Sequence, residues 1–269
     1  MILEYLIFLG LGCITGVIAG LLGVGGGTIV VPTMIYFLTA YGAESDLIMK
    51  MALGTSFATI VVTSLSSVVA HNKKGSVMWR LVFFMGIGSA IGVGLGGAIV
   101  SKLSNTTLQV IFCIFLAYTI TNMIFTASKP EAAEPAQLGP GPYTGMGALI
   151  GFVASFVGIG GVVLTVPILS KVGHKMKNAI GSSSALGAIL AIFGALAAIA
   201  NGWGESNLPD GSFGYVYLPA FIGLSLSSIV FAPLGAKLVY ILPVKRIRQI
   251  FAIFLTIILI NFLYKMYTG

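Results

Sequence analysis

Charged residues are scarce in this sequence. Of its 269 residues, 57% are hydrophobic and only 8% are Asp, Glu, Lys or Arg, and the mean hydropathy is +1.05. About a quarter of the residues of a soluble domain are charged, so this composition excludes a soluble globular protein and predicts an integral membrane protein partnered by the lipid bilayer. The net charge of +7 is explained by basic residues retained in cytoplasmic loops, and we expect no nucleic-acid partner.

Cysteine is nearly absent. Cys13 and Cys113 both lie within apolar runs, and neither has the neighbours of a disulfide framework, a metal site or a catalytic nucleophile. We expect both to be small packing residues. The sequence also has no His-Glu-x-x-His motif. It therefore predicts no catalytic residue, no metal ion and no other cofactor, and it argues against an enzyme.

Acidic residues are missing from the interior of the apolar runs. Without them, no intramembrane carboxylate relay of the kind found in many proton-driven carriers can be drawn. Export of an anion needs no such relay, because an anion leaving a cell that is negative inside gains about 2.3 kcal/mol per charge per 100 mV. The seven acidic residues lie at the termini or between the runs: Glu4, Glu44, Asp46, Glu131, Glu134, Glu205 and Asp210.

Long apolar runs fill most of the chain. A helix needs about 20 residues to cross a hydrocarbon core of about 30 Å, and the runs reach or exceed that length. The amino terminus lacks the basic start of a cleavable signal peptide, so we expect it to begin a retained first helix. The runs are residues 2–40, 47–70, 77–101, 107–127, 143–170, 178–200, 213–240 and 247–267.

Glycine is abundant where a simple membrane helix would not use it. Residues 23–32 read GVGGGTIVVP within the first run, and residues 158–167 read GIGGVVLTVP within the fifth run. These two stretches predict a helix break in each run. The segment after the first break, residues 28–40, would be only about 20 Å long as a helix, which is typical of a half-helix.

The order of short motifs is the same in both halves of the chain. Residues 50–56 (KMALGTS) correspond to residues 177–183 (KNAIGSS), and residues 111–116 (IFCIFL) correspond to residues 250–255 (IFAIFL). Such internal repetition indicates two similar bundles. The predicted units are a first transmembrane repeat over residues 1–127, a linker over 128–142 and a second transmembrane repeat over 143–269.

The basic residues favour opposite orientations for the two repeats. If every run crossed once from an outer amino terminus, nine of the fourteen would lie inside, whereas eleven would if the first run of each half turned back at its break. The second arrangement fits the positive-inside rule better. It gives inverted repeats with interrupted helices, which are typical of secondary transporters with a substrate site near the membrane midplane. The eleven are Lys73, Lys74, Arg80, Lys129, Lys171, Lys175, Lys177, Lys237, Lys245, Arg246 and Arg248.

The glycine breaks have the chemistry of an anion site. Irregular backbone at membrane depth is tolerated only where it is buried in protein or lines a watery cavity. A half-helix that starts there directs unpaired N–H groups and the positive end of its dipole toward an anion. The alternative is that the glycines only allow close helix packing, which we favour for Gly12, Gly16, Gly20, Gly88, Gly92 and Gly96. The predicted substrate-binding residues at the breaks are Gly25, Gly26, Gly27, Thr28, Gly160, Gly161 and Val162.

Hydroxyl groups follow each break. Thr55 and Ser56 in the first half correspond to Ser182 and Ser183 in the second, and hydroxyls can donate to an oxyanion while staying neutral. We predict that these four also bind the substrate, because they recur. The alternative is that such hydroxyls bond to carbonyls of the preceding turn or to neighbouring helices.

Together the motifs resemble the sulfite exporter TauE/SafE family of bacterial membrane permeases. The resemblance rests on the paired glycine loops, the GTS and GSS blocks at residues 54–56 and 181–183, the HNKKG turn at residues 71–75 and the layout of four plus four apolar runs. It covers essentially the whole chain. The likeness implies transport, usually outward, of sulfite, thiosulfate or organosulfonates such as sulfoacetate. One departure is Val162, which stands where the first loop has Gly27.

The expected fold is an all-α polytopic membrane protein with two inverted repeats and about 8 to 10 membrane segments. Each repeat has a glycine-broken first segment, re-entrant or a pair of half-helices, followed by three transmembrane helices. We expect the chain to lie in the bacterial inner membrane with a periplasmic amino terminus and to carry a small sulfur-containing anion by alternating access. A passive anion channel and, with less support, an intramembrane enzyme are the alternatives, and a homo-oligomer is left open.

Overall fold

The computed structural model describes the chain except for residues 1, 23–25, 126–137, 239–240, 242–243 and 269. Their regular secondary structure is helical apart from one short hairpin. In chain order the elements are α1 (Ile2–Leu22), α2 (Gly27–Tyr41), α3 (Ser45–Asn72), α4 (Trp79–Val100), α5 (Asn105–Phe125), α6 (Pro140–Val157), α7 (Val162–Lys171), α8 (Met176–Asn201), β1 (Ser212–Phe213), β2 (Val216–Tyr217), α9 (Leu218–Leu238) and α10 (Val244–Thr268).

Several helices are suited to a bilayer. Among the described residues, α3, α4, α8 and α9 are long and apolar enough to cross a membrane, and shorter apolar helical stretches occupy Tyr5–Leu21, Gly27–Tyr41 and Leu255–Tyr264. Large apolar side chains on outer faces are exposed, as a lipid-facing surface requires. The chain is therefore a multi-pass membrane protein whose backbone polar groups are satisfied within helices.

Two of the predicted runs are interrupted where glycine is concentrated. The run over residues 2–40 consists of α1 and α2, with residues 23–26 between them, and the run over residues 143–170 consists of α6 and α7, with residues 158–161 between them. Most of the predicted linker over residues 128–142, namely residues 128–137, lies outside the described residues. After it, α6 begins at Pro140, because proline fits the first helical turn, where an N–H group would have no partner.

The predicted start of the seventh run at residue 213 is wrong. Residues 212–217 form a two-stranded antiparallel hairpin in which Ser212 pairs with Tyr217 and Phe213 with Val216, and α9 begins only at Leu218. Gly214 turns the hairpin at a φ of +54° and lies directly against the backbone of Ile199 in α8. Aromatic and β-branched residues suit strands as well as membranes, so hydropathy alone could not separate the hairpin from the helix.

Helix packing is closest at the glycine stripes. In α1 a Cβ atom on Gly12, Gly16 or Gly20 would collide with atoms of α9, and in α4 a Cβ atom on Gly88, Gly92 or Gly96 would collide with atoms of α6. Small residues let helix backbones approach closely in membranes, so the packing role predicted for these glycines is confirmed. Among the described contacts, α3 packs on α8 at the centre, α2 on α3, α7 on α8, and α5 on α10.

Candidate functional site

Each helix break ends in a glycine with a left-handed backbone. Gly26 has a φ of 81° and caps the start of α2, and Gly161 has a φ of 68° and caps the start of α7. The Gly26 carbonyl accepts the N–H groups of Ile29 at 3.0 Å and Val30 at 3.1 Å. These backbone conformations disfavour any other residue, which explains why glycine stands at both positions.

The second break repeats this geometry. The Gly161 carbonyl accepts the N–H groups of Leu164 at 3.0 Å and Thr165 at 2.9 Å. The first N–H groups of any helix have no acceptor in their own helix, so two such groups remain at the start of α2, on Gly27 and Thr28, and two at the start of α7. Each start also carries about half a positive charge from the helix dipole.

The two breaks meet inside the protein. A Cβ atom on Gly27 would overlap the Gly158 carbonyl oxygen and would lie 3.0 Å from Ser56 Oγ. The Ser56 hydroxyl donates a hydrogen bond to the same Gly158 carbonyl at 2.6 Å. The predicted residues Gly27 and Ser56, which belong to the first half of the chain, therefore contact the second break, which belongs to the second half.

The second break also rests on α8. A Cβ atom on Gly187 would lie 2.9 Å from the Gly160 carbonyl oxygen and 3.4 Å from Ser64 Oγ. Ser64 is only 1% exposed, and its hydroxyl has no hydrogen-bond partner among the described residues. Sequence reasoning missed Ser64, and the available signal was its position eight residues, about two helical turns, after Ser56 on α3.

Two of the predicted hydroxyls are buried and have no partner among the described residues. Thr28 and Ser183 are both 0% exposed, and within the described part of the chain neither hydroxyl oxygen makes a hydrogen bond. A buried hydroxyl without a partner costs about 1–3 kcal/mol, so such groups call for an explanation. Thr28 lies in the first turn of α2, where a ligand at the break would meet its hydroxyl.

The predicted hydroxyls of Thr55 and Ser182 each accept a hydrogen bond from a backbone N–H group. The Tyr217 backbone N–H donates to Thr55 Oγ1 at 2.9 Å, and the Met78 backbone N–H donates to Ser182 Oγ at 2.9 Å. Tyr217 and Met78 immediately precede α9 and α4. Thr55 and Ser182 thus hold the starts of helices that belong to the opposite halves of the chain.

Two further hydroxyls on α3 bond within their own helix. Thr59 Oγ1 donates to the Thr55 carbonyl at 2.9 Å, and Thr63 Oγ1 lies 3.2 Å from the Thr59 carbonyl. These bonds correspond to the alternative that the sequence left open for such residues. Ser56 instead bonds to the second break, and Ser64 and Ser183 have no hydrogen-bond partner among the described residues.

Part of the predicted set lies outside the described residues. This applies to Gly25 and to the side chain of Val162, whose backbone begins α7. The described residues contain no group of three or more His, Cys, Asp or Glu that could hold a metal ion. The polar groups available at the described parts of the breaks are backbone N–H groups, carbonyls and hydroxyls.

The family model described as "Sulfite exporter TauE/SafE" matches residues 8–262. The chain belongs to this family. The TauE/SafE assignment covers both breaks and all ten helices at least in part, so the features described above lie within the matched region. No solved structure matches the chain.

Relatives of this TauE/SafE chain carry names of the same kind. A "Probable membrane transporter protein" of Haemophilus influenzae is 37% identical over 254 residues, which cover 94% of this chain and 96% of the relative. A "Probable membrane transporter protein MJ0441" of Methanocaldococcus jannaschii is 26% identical over 258 residues, 91% of each chain. The TauE/SafE chain is accordingly a membrane transporter.

Proposed function

We propose that this chain carries small sulfur-containing anions, such as sulfite, thiosulfate or organosulfonates, out of the cell by alternating access. The observation that carries the proposal is the meeting of two helix breaks, each opening a helix at a left-handed glycine, Gly26 or Gly161. The anion would lie at these facing helix starts, as the helix dipoles favour. The family's description as a sulfite exporter supports the choice of substrate.

Hydroxyl groups extend the proposed site. Thr28 and Ser183 are buried without a hydrogen-bond partner in the described part of the chain, and a sulfur oxyanion offers several acceptor oxygens. Hydrogen bonds to a charged acceptor are shorter and stronger than bonds between neutral groups. A bound oxyanion would satisfy these hydroxyls without requiring a buried lysine in the site.

We further propose that residues 1–127 and 143–269 are inverted repeats. The repetition itself is supported by matching contacts in the two halves: α1 packs on α9 as α6 packs on α4, and α2 packs on α3 as α7 packs on α8. The opposite orientation rests on the distribution of basic residues. The hydrogen bond from Tyr217 to Thr55 likewise corresponds to that from Met78 to Ser182. Inverted repeats around a central site are the usual basis of alternating access.

This topology predicts which loops face the cytoplasm. In a variant without Cys13 and Cys113, we expect Lys175→Cys to react with a membrane-impermeant maleimide only in inside-out vesicles, and Lys102→Cys only in intact cells. Both positions are exposed, and the expectation follows from the distribution of basic residues. The measurement is the labelled fraction in each preparation. Labelling of both positions from the same side would contradict the inverted repeat.

Counterflow in proteoliposomes tests the transported substrate. Vesicles would be loaded with unlabelled sulfite, thiosulfate, sulfoacetate, taurine or sulfate. They would then be diluted into buffer that contains a trace of the same compound in labelled form. We expect transient accumulation with at least one of the first three, because a carrier exchanges substrate through a closed conformational cycle. Empty liposomes and protein incubated with taurine, which has no net charge, are the controls. Flux without counterflow would identify a passive channel, and a chemically altered anion would identify an enzyme.

A further inference from the structure

A cavity lies between α3, α4 and α8. Its open space is about 360 Å³, including the solvent at its mouth. On α3 the lining residues are spaced at i, i+3, i+4 and i+7, so they form one stripe of about two helical turns. They are Lys50, Leu53, Gly54 and Phe57.

Small residues on the other two helices leave room for the cavity. Gly97 of α4 and Gly194 and Ala197 of α8 line it. The Phe57 ring closes the deep end, where its atoms lie 2.7–2.9 Å from the position of a Cβ on Gly194. A larger residue at position 194 would collide with the ring. The inner lining is apolar apart from Ser155 of α6, whose hydroxyl donates to the Phe152 carbonyl.

The mouth of the cavity is polar and carries a positive charge. Lys50, Ser101 and Asn201 line it near the first turns of α3 and the last turns of α4 and α8. None of the described lining residues is acidic. The Lys50 ammonium nitrogen lies 6.0 Å from the centre of the Tyr215 ring, at the outer limit of a cation–π contact.

Tyr215 adds no negative charge to the mouth. Its side chain is 6% exposed, and burial, reinforced by the nearby charge of Glu205, raises the pKa of the phenol above its ordinary value. The phenol therefore stays neutral. Glu205 itself is exposed, so solvent and salt screen it.

The cavity reaches the proposed site through one side chain. Leu53 lines the cavity, and on its other side its Cδ2 atom lies 2.8 Å from the position of a Cβ on Gly158. Gly158 is the residue whose carbonyl Ser56 binds. Leu53 therefore lies between the cavity and the second helix break.

We propose that this cavity is a separate capture site for small anions, with Lys50 as the residue that attracts the anion and orients its charged end at the mouth. An anion with a short apolar part fits best, because Leu53 and Phe57 form the deeper wall. Its role as the entrance or exit of the transport path rests on the proposed function. Its ability to bind an anion does not.

Charge-selective labelling tests the capture site without transport. In the variant lacking Cys13 and Cys113, Ala197→Cys would be treated with anionic and cationic methanethiosulfonate reagents. Clefts of one sign raise local counter-ion concentration about 10- to 1,000-fold, so we expect Lys50→Gln to lower the anionic-to-cationic rate ratio by about tenfold or more. Lys50→Arg should keep the ratio. Methanesulfonate should slow labelling only when a cation stands at position 50.

Lys102→Gln is the matched control, because Lys102 is exposed at the same end of the molecule and does not line the cavity. We expect it to change the ratio by less than about twofold, since an exposed charge is screened. An equal effect of Lys102→Gln, or no effect of Lys50→Gln, would overturn the proposal. Lys50→Gln should also raise KM for transport several-fold at constant kcat. Lys50-dependent labelling without any anion transport would retain the capture site and reject the proposed function.

Discussion

Gly27→Ala is expected to lower anion transport by about 100-fold or more, since displacements of about 1 Å near a reacting or binding centre have effects of that size. The added methyl group would overlap the Gly158 carbonyl oxygen and approach Ile60 Cδ1 to 2.9 Å. Backbone cannot rotate away as a side chain can, so the two breaks must separate. The separation would also weaken the hydrogen bond from Ser56 to Gly158.

The measurement is initial flux in proteoliposomes, normalised to correctly folded protein by gel filtration and thermal unfolding in detergent. Overpacking of this kind costs about 1–3 kcal/mol, so Tm should fall while the protein still folds. Gly94→Ala is the control, because a Cβ atom there meets nothing within 4 Å. It should transport normally and unfold at the same or a higher temperature, as alanine favours a helix. Normal flux in Gly27→Ala would show that contact between the breaks is not needed.

Thr28→Val and Ser183→Ala are expected to change stability and transport in opposite directions. Each removes a buried hydroxyl that has no partner among the described residues, so the free energy of unfolding should stay the same or rise by about 1 kcal/mol. Each also removes a donor from the proposed anion site. Hydrogen bonds to charged groups contribute about 1.5–3 kcal/mol, so the apparent affinity for the anion should fall by about 10- to 100-fold.

Thr119→Val is the matched control for this pair. Thr119 is also 0% exposed, but its hydroxyl donates to the Phe115 carbonyl within α5 at 2.8 Å. Its loss should lower stability slightly and leave KM unchanged. The readouts are thermal unfolding and the concentration dependence of flux. Reduced stability in Thr28→Val with unaltered KM would assign the hydroxyl to the fold and remove it from the site.

Local sequence signals located the helix breaks well. The glycines at residues 25–27 and 158–161 predicted interruptions, and α2 and α7 begin at Gly27 and Val162. The reason is physical: left-handed backbone favours glycine, so the requirement is visible in the residue type itself. The same holds for the spaced glycines of α1 and α4, where the absence of a side chain is what allows the contact.

Contacts between the halves were less accessible from the sequence. That Thr55 would accept the Tyr217 N–H, and that Ser64 would lie near the second break, depend on how distant segments assemble. The sequence does not distinguish a hydroxyl that caps a helix from one that faces a ligand, because the same group can do both. The predicted group of four hydroxyls therefore divides in the structure: Thr55, Ser56 and Ser182 are bonded to backbone groups, and Ser183 has no partner in the described residues.

The glycine-packed helix pairs bear on how the protein can move. α1 is joined to α9, and α4 to α6, by contacts so close that a single methyl group would not fit between them. We expect two helices packed this closely to move together as one rigid body rather than to slide past each other. Each such body contains one helix from the first half of the chain and one from the second. Helices that shift during a transport cycle would therefore shift as these mixed pairs, each drawn from both halves of the chain.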